Sequence, residues 1–221
     1  MDLSKDLMAA GAHFGYSKTR RHPSAKHYVF STKNNVDIID ISYTEKMLSD
    51  ALAFVKTLGE EKKTILFVSG KPESKKIIEQ AAHSLNMPYV ENRWIGGTLT
   101  NFPQIKKRID VLIDLKMKKE KGELAKYTKK EQSDFARQIE KMEKNFGGLV
   151  GMTKRPDAIF IVDTKKEHIA QTEANMTKIP VVALMNTDCD FSNIDYPIVG
   201  NDASRTSVDF FVKKIVEAYK G

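Results

Sequence analysis

The sequence has little cysteine, little proline and no long apolar run. Its 221 residues include seven prolines and one cysteine, Cys189. A lone cysteine cannot form an internal disulfide, and no cysteine or histidine stands near it at the spacing of a metal site. We therefore expect no bound metal and a buried, idle thiol. No segment approaches the roughly 18 to 20 apolar residues that a membrane span needs, and the first residues lack a signal pattern. These absences indicate a cytoplasmic protein without membrane contact.

The common catalytic and nucleotide-binding motifs are also missing. Gly96-Gly97 is not followed by Gly-Lys-Ser/Thr at the spacing of a phosphate-binding loop, and residues 147–151 do not match the dinucleotide fingerprint. None of the five histidines stands in an HExxH motif or beside a nucleophile motif. The sequence thus predicts a protein that is not an enzyme, with no cofactor and no small-molecule substrate.

What the sequence does contain is enough apolar surface for a folded core. Hydrophobic residues make up 41% of the chain and charged residues 29%. This composition is typical of a globular protein and not of a disordered chain. The length is somewhat greater than that of a common single domain and short for two. It favours one core with an insertion.

Positive charge is concentrated in two segments. Residues 1–35 hold six basic and two acidic residues, net +4, and residues 104–146 hold thirteen basic and eight acidic residues, net +5. The segments 36–103 and 147–221 are each at net −1. An amino-terminal arm and a central segment with excess positive charge are typical of a protein that binds a polyanion. Nucleic acid is the favoured partner, with acidic lipid as a weaker alternative.

Short apolar runs alternate with amphipathic stretches, a pattern that predicts a parallel sheet covered by helices. Continuous apolar runs predict buried strands: Ile65–Ser69, Pro88–Val90, Ala158–Asp163 and Pro180–Met185. Spacings of three and four predict helices: Ser42–Leu58, Lys71–Leu85, Lys165–Thr177 and Ala203–Tyr219. Gly59 is expected to close the first of these helices.

Two further local predictions concern turns. Residues 28–30 and 36–41 flank Thr32-Lys33-Asn34-Asn35, which predicts a hairpin because Asn tolerates the left-handed backbone conformation. Asp195-Tyr196-Pro197 is interpreted as a turn against which the Asn186-Thr187-Asp188 loop packs.

The central basic segment predicts an inserted helical hairpin over residues 104–146. Four-three spacing produces an apolar seam on both arms, formed by Ile105, Ile109, Leu112, Phe135, Ile139, Met142 and Phe146. Thr128 and Glu131 form a capping-box pair at the start of the second arm. The predicted organisation is therefore an α/β domain made of residues 1–103 and 147–221, interrupted by this hairpin. Its remaining charges fit either a solvated face or contact with RNA.

The segment Arg93 to Phe102 joins a strand to a helix. Gly96 and Gly97 allow successive amides to face one anion, and Asn101 with Gln104 is expected to cap the following helix. One alternative is that the glycines only let the chain cross closely over the end of the sheet, and another is that the loop is a docking hinge for the hairpin.

Four stretches in order carry a resemblance to a known family: GAHFG at 11–15, IIDI at 38–41, RWIGGTLTNF at 93–102, and the block at 179–207 that begins IPVVALMNTD. The chain resembles the small-subunit ribosomal protein two family over nearly its whole length. The resemblance implies an α/β, flavodoxin-like parallel sheet flanked by helices, with an inserted helical coiled-coil hairpin. It also implies contact with small-subunit ribosomal RNA and neighbouring proteins, among them the large ribosomal protein one. Tyr16 and His22-Pro23 depart from the usual family pattern, so stacking by these rings on bases is one possibility and packing on the sheet the other.

Together these observations predict RNA contacts at three places. The residues are Lys18, Arg20, Arg21, His22 and Lys26 in the arm; Arg93, Gly96, Gly97, Thr98 and Asn101 in the loop; and Lys106, Lys107 and Arg108 at the start of the hairpin.

An enzyme is the competing interpretation, because ligands of parallel α/β sheets bind at the carboxyl ends of the strands. Ser69-Gly70, Asp163 and Asn186-Thr187-Asp188 should meet there. Asp188, Asp190 and Asp195 suggest a divalent-cation site, although Asp in such segments more often caps turns.

Overall fold

The computed structural model describes residues 3–221 of the chain. The helices are α1 (Leu3–Ala9), α2 (Ile41–Glu60), α3 (Lys75–Leu85), α4 (Phe102–Glu120), α5 (Lys129–Phe146), α6 (His168–Met176) and α7 (Arg205–Lys220). The strands are β1 (Phe14–Ser17), β2 (Val29–Lys33), β3 (Val36–Ile39), β4 (Ile65–Val68), β5 (Tyr89–Val90), β6 (Ala158–Val162), β7 (Val181–Met185) and β8 (Tyr196–Val199).

The main sheet has five parallel strands in the order β5-β4-β6-β7-β8. Every residue of β4, β6 and β7 is buried, because helices cover both faces. This explains why the three strands are continuous apolar runs in the sequence. The strand order is that of the flavodoxin-like fold, so the predicted fold class and the four predicted strands are confirmed.

The fifth strand, β8, corrects the interpretation of Tyr196-Pro197 as a turn. Residues 196–199 pair with β7, and Pro197 lies opposite Ala183. Proline is tolerated here because β8 is the edge of the sheet, where one side of the strand has no ladder to complete. Because proline is common in turns, Pro197 led to the prediction of a turn where the structure has a strand.

A smaller antiparallel sheet in the order β1-β3-β2 lies near the amino terminus. The predicted hairpin is present as β2 and β3, and Asn34 and Asn35 adopt φ values of 50° and 63° at its turn. β1 pairs on the other side of β3, which the sequence pattern does not predict. This strand places the basic arm beside the main sheet.

Alternate residues of the central strands face two buried clusters. One cluster joins the sheet to α2, α3 and α7, and the other joins it to α4, α5 and α6. The expectation that Gly59 closes α2 is wrong, because this helix continues to Glu60. Gly59 instead allows a close approach: a Cβ atom there would lie 2.1 Å from the carbonyl oxygen of Tyr219.

The two helices of the central segment pack against each other across the predicted seam. Ile109 and Leu112 of α4 and Ile139 of α5 are buried, and Lys116 pairs with Glu143 between the helices. The predicted capping box of Thr128 and Glu131 opens α5. The seam belongs to the same buried cluster as the sheet, so the hairpin is anchored at its base. Coiled-coil packing and the division into two domains stay predictions.

Within residues 3–221, no helix is long and apolar enough to cross a membrane.

Candidate nucleic-acid interface

The amino-terminal arm is tied to the carboxyl end of the main sheet by its backbone. The amide of Tyr16 donates to Oγ1 of Thr187 at 3.0 Å, and the amide of His22 donates to the Thr187 carbonyl at 2.8 Å. The amide of Lys18 donates to the carbonyl of Asn35 in the β2–β3 turn. These bonds hold the arm's basic side chains at fixed positions on the protein.

Arg21 is an internal partner of a buried carboxylate. Its guanidinium donates two hydrogen bonds to Asp37, at 2.6 and 2.5 Å, and a third to the hydroxyl of Thr32. Asp37 is fully buried, so this bidentate pair neutralises a charge inside the small sheet. Arg21 was predicted as an RNA contact, and the structure places most of its side chain in this pair instead of at the surface.

Arg20 and His22 also have protein partners but remain partly exposed. Arg20 lies 4.2 Å from the ring centroid of Tyr16 and donates to Asp188 at 3.1 Å. Nδ1 of His22 accepts from the amide of Ser24 and lies 3.7 Å from a carboxylate oxygen of Asp190. Tyr16 is therefore half-buried, with the guanidinium of Arg20 against its ring.

Two lysines of the arm and two basic residues of the hairpin are exposed and form no ion pair within the described residues. Lys18, Lys26, Lys107 and Arg108 are exposed, and none has an acidic partner within residues 3–221. Lys106 is half-buried and lies 3.5 Å from Asp110 one helical turn away. The first four side chains are therefore the best placed of the predicted residues to neutralise phosphates.

The loop after β5 does bind an oxyanion, and that oxyanion is the carboxylate of Glu173 from α6. Glu173 accepts from the amides of Gly97, Leu99 and Thr100 at 2.7, 3.0 and 3.1 Å. The indole of Trp94 and the hydroxyl of Thr100 donate to it as well. Three amides of this loop, including that of Gly97, are thus already satisfied within the protein, which favours a structural role of the loop over a phosphate site.

The predicted residues of this loop differ in their surroundings. Gly97 has φ of 91°, which favours glycine, whereas a Cβ atom on Gly96 would meet nothing within 4 Å. Thr98 is buried and donates to the Ile95 carbonyl. Asn101 precedes α4 but its side chain makes no capping hydrogen bond, so the expected cap with Gln104 is wrong. Arg93 is exposed.

Glu173, which holds this loop in place, is a residue that sequence reasoning missed. Burial raises the pKa of this carboxyl, but the hydrogen bonds from Trp94 and the loop amides outweigh burial and hold the pKa below its ordinary value. A signal was present in the sequence, since Glu173 falls on the buried face of α6 with Ala170 and Ala174. A carboxylate on a buried face requires several donors from elsewhere.

A second ionic cluster lies where β4, β6 and β7 end. Nζ of Lys71 lies 2.8 Å from Asp163 and 2.7 Å from Asp202, and Asn186 donates to Asp202 at 3.2 Å. Of the residues expected to meet at the strand ends, Asp163 and Asn186 join this cluster through Lys71 and Asp202. Asp163, Asp202 and Cys189 are close enough to share a cation, but the ammonium group of Lys71 already lies between the carboxylates. The cluster is a closed ionic network.

The charges of this network are unequal, with two carboxylates around one ammonium. Burial would lower the pKa of Lys71, but Asp202 and Asp163 outweigh it and raise the pKa. Burial raises the pKa of Asp202 to about 6 against the opposing effect of Lys71. Burial also raises the pKa of the Cys189 thiol to about 12, which makes this cysteine a poor nucleophile. The thiol is buried, as expected from the sequence.

Asp202 gives a testable pH dependence. Because its folded pKa is raised above the ordinary value of 3.8, its contribution to stability is present below pH 3.8 and is lost as the pH rises through about 6. Between about pH 4 and pH 7 the free energy of unfolding of the wild type should fall by about 2–3 kcal/mol relative to Asp202→Asn. Urea unfolding at several pH values measures this difference. Parallel curves for the two proteins would contradict it.

The three aspartates considered for a divalent cation have separate roles. Asp188 accepts from Arg20 and Lys165, both at 3.1 Å. Asp190 accepts from the amide of Ser192, and Asp195 accepts from the amide of Val181 at the start of β7. Only the Asp190 contact is a local turn cap. All three carboxylates already have partners within the protein.

The fold and its buried ion pairs define a basic α/β protein in which Lys71 lies between Asp163 and Asp202 at the strand ends. A sequence model of the family described as Ribosomal protein S2 matches residues 7–221. The chain belongs to the ribosomal protein S2 family. That family is a structural component of the ribosome and not a family of enzymes.

Similar proteins cover nearly the whole chain. The small ribosomal subunit protein uS2 of Petrotoga mobilis is 44% identical over 214 residues, which are 97% of this chain and 74% of that protein. The protein of the same name from Dictyoglomus thermophilum is 43% identical over 216 residues, covering 98% and 88%. That of Sulfurimonas denitrificans is 42% identical over 218 residues, covering 99% and 84%.

Proposed function

We propose that this protein is a structural constituent of the small ribosomal subunit that binds ribosomal RNA and supports subunit assembly and translation. The observation that carries the proposal is the identity of more than 40% with small-subunit proteins over nearly the whole chain. Membership of the ribosome also agrees with the cytoplasmic location expected from the sequence. The fold supplies a rigid body, and the unpaired basic side chains supply its contacts.

The RNA contacts proposed here follow from the exposure of the basic residues. Lys18 and Lys26 in the arm, Arg93 in the loop and Lys107 and Arg108 on α4 are exposed cations. Such side chains neutralise phosphates and position a protein on RNA without reading bases. Arg20, His22 and Lys106 are proposed as contacts of lesser weight, because each already has a protein partner. Arg21, Gly96, Gly97, Thr98 and Asn101 are proposed to act by shaping the arm and the loop.

Protein neighbours, including the large ribosomal protein one, are proposed to use apolar surface near the amino terminus. Phe30 is 75% exposed and Met8 is 56% exposed, and both border a cleft of about 400 Å³ beside β3. Clustered apolar side chains at a surface are typical of protein contact sites.

The arm contacts are tested by binding to small-subunit ribosomal RNA at several salt concentrations. Replacing Lys18 and Lys26 by Ala should lower the slope of log affinity against log salt by about 1.4 to 1.8, because each lysine neutralises one phosphate. The control replaces Lys56 and Lys76, two exposed lysines outside the proposed interface, and should keep the wild-type slope. Equal slopes for all three proteins would remove the arm from the interface. A wild-type protein that does not bind this RNA would overturn the proposed function.

A further inference from the structure

A cleft of about 420 Å³ opens where the base of the hairpin meets the ends of β4 and β5. Its charged lining consists of Lys75, Arg93, Lys144, Lys166 and Glu167. Four cations thus surround one carboxylate, and they come from four segments far apart in sequence. Arg93, in the loop, is the one member of this set that the sequence analysis predicts as an RNA contact.

None of the four cations has an ion-pair partner in the part of the chain that the structure describes. Nζ of Lys75 donates to Oδ1 of Asn92 at 2.6 Å, and Nζ of Lys166 donates to the Gly70 carbonyl at 2.8 Å. These acceptors are neutral, so each ammonium group keeps its full charge and two further protons to donate. Lys71, by contrast, lies between two carboxylates.

The walls of the cleft are fixed by close contacts. A Cβ atom on Gly70 would lie 2.5 Å from the Asn92 carbonyl oxygen and 2.7 Å from Oε1 of Glu167, so only glycine fits there. The amide of Gly70 donates to Glu167, and Nδ2 of Asn92 donates to the Lys144 carbonyl. The last bond joins the sheet to the end of α5. The cleft is therefore held in shape before any ligand arrives.

We propose that this cleft binds a phosphate group of ribosomal RNA through Lys75, Lys144 and Lys166 together with Arg93. The inference rests on the proposed function and adds three residues to it. A phosphate with its adjoining sugar fits the volume, and its two non-bridging oxygens can accept hydrogen bonds from the free donors of the lysines. Because Lys144 belongs to the hairpin and Lys75 and Lys166 to the α/β body, a bound phosphate fixes the direction of the hairpin.

Glu167 is the one group in the cleft that opposes an anion. It is buried and bonded to the Gly70 amide, and burial raises the pKa of its carboxyl above the ordinary value despite that bond. The exposed side chain of Ile169 forms an apolar part of the wall beside it. Four cations exceed this single opposing charge.

The test is binding of the full chain to small-subunit ribosomal RNA, with Lys75, Lys144 and Lys166 replaced by Gln. The slope of log affinity against log salt should fall by about 0.7 to 0.9 if the cleft neutralises one phosphate. The matched control replaces Lys56, Lys76 and Lys141, which are exposed, lie outside the cleft and remove the same charge. Its slope should equal that of the wild type. Urea unfolding checks that each variant is folded, and Lys166→Gln alone serves if the triple variant is not.

The outcomes separate the cleft from the proposed function. If the wild type binds RNA and the cleft and control variants have equal slopes, the proposal that the cleft binds a phosphate is wrong and the proposed function stands. If the wild type does not bind this RNA, both are wrong. Inorganic phosphate should shift the NMR amide signals of Gly70 and Asn92 in the wild type and not in Lys166→Gln. Micromolar binding of ATP that displaces RNA from the cleft would assign it to a free nucleotide and overturn the RNA proposal.

Discussion

Replacing Glu173 by Ala should lower the free energy of unfolding by about 3–5 kcal/mol, as expected when a buried charge is removed from a network of donors. The carboxylate satisfies three backbone amides, the indole of Trp94 and the hydroxyl of Thr100. Without it these donors lie unsatisfied at the base of α4. Urea unfolding gives the measurement. Glu120→Ala, an exposed glutamate at the end of the same helix, should change the stability by less than about 0.5 kcal/mol.

Adding small anions to Glu173→Ala tests whether the donors around Glu173 form an anion-binding site or whether Glu173 only packs there. Formate or acetate should raise the unfolding midpoint of Glu173→Ala more than that of the wild type, because the donors left behind form a vacant oxyanion site. Glu173→Gln should not be rescued, since its amide group fills the space and turns a donor toward donors. A loss below about 1 kcal/mol without rescue would mean that water replaces the carboxylate at little cost.

Replacing Arg21 by Met should cost a similar amount, about 3–5 kcal/mol, because it leaves the carboxylate of Asp37 buried without its cation. Within residues 3–221, the hydroxyl of Thr32 then remains as the one side-chain donor to Asp37. The double variant Arg21→Met/Asp37→Leu should recover most of the lost stability, since both charges are then absent. Urea unfolding of the three proteins measures the coupling.

RNA binding separates this role of Arg21 from that of an exposed arginine. Folded Arg21→Met should keep the wild-type dependence of RNA affinity on salt. Arg108→Met, an exposed residue of α4, should keep its stability and lose about 0.7 to 0.9 of the slope. If Arg21→Met lowered the slope and Arg108→Met left it unchanged, Arg21 would belong to the RNA interface and Arg108 would be a solvated side chain.

The sequence predicts those parts of the fold whose signal is local. Buried strands such as Ala158–Val162 are continuous apolar runs, and the Asn34-Asn35 turn carries its own conformational preference. Where a local signal conflicts with its surroundings, the prediction fails. Pro197 suggested a turn but lies in an edge strand, and Gly59 suggested a helix end but serves the approach of α7.

The candidate interface was harder to predict, because residues distant in the sequence determine which of its charged side chains are neutralised within the protein. Arg21 and Lys18 have similar surroundings in the sequence, yet only Arg21 has a buried carboxylate, 16 residues away. Glu173 and Gly97 are 76 residues apart. A count of charges locates the basic segments but does not tell which members are neutralised internally. That distinction needs the tertiary structure.

The hydrogen bonds between the amino-terminal arm and the carboxyl-terminal part of the chain determine when the arm can dock during synthesis. Tyr16 bonds to Thr187, 171 residues later, and the Ala12 carbonyl accepts from the amide of Asn201. At about 5–20 residues per second, the arm waits roughly 10 to 30 s for its partners to emerge. During that interval its cations are already exposed in a nascent chain beside ribosomes. Docking of the arm is therefore a late folding step, and fragments that stop before residue 187 lack the contacts that order it.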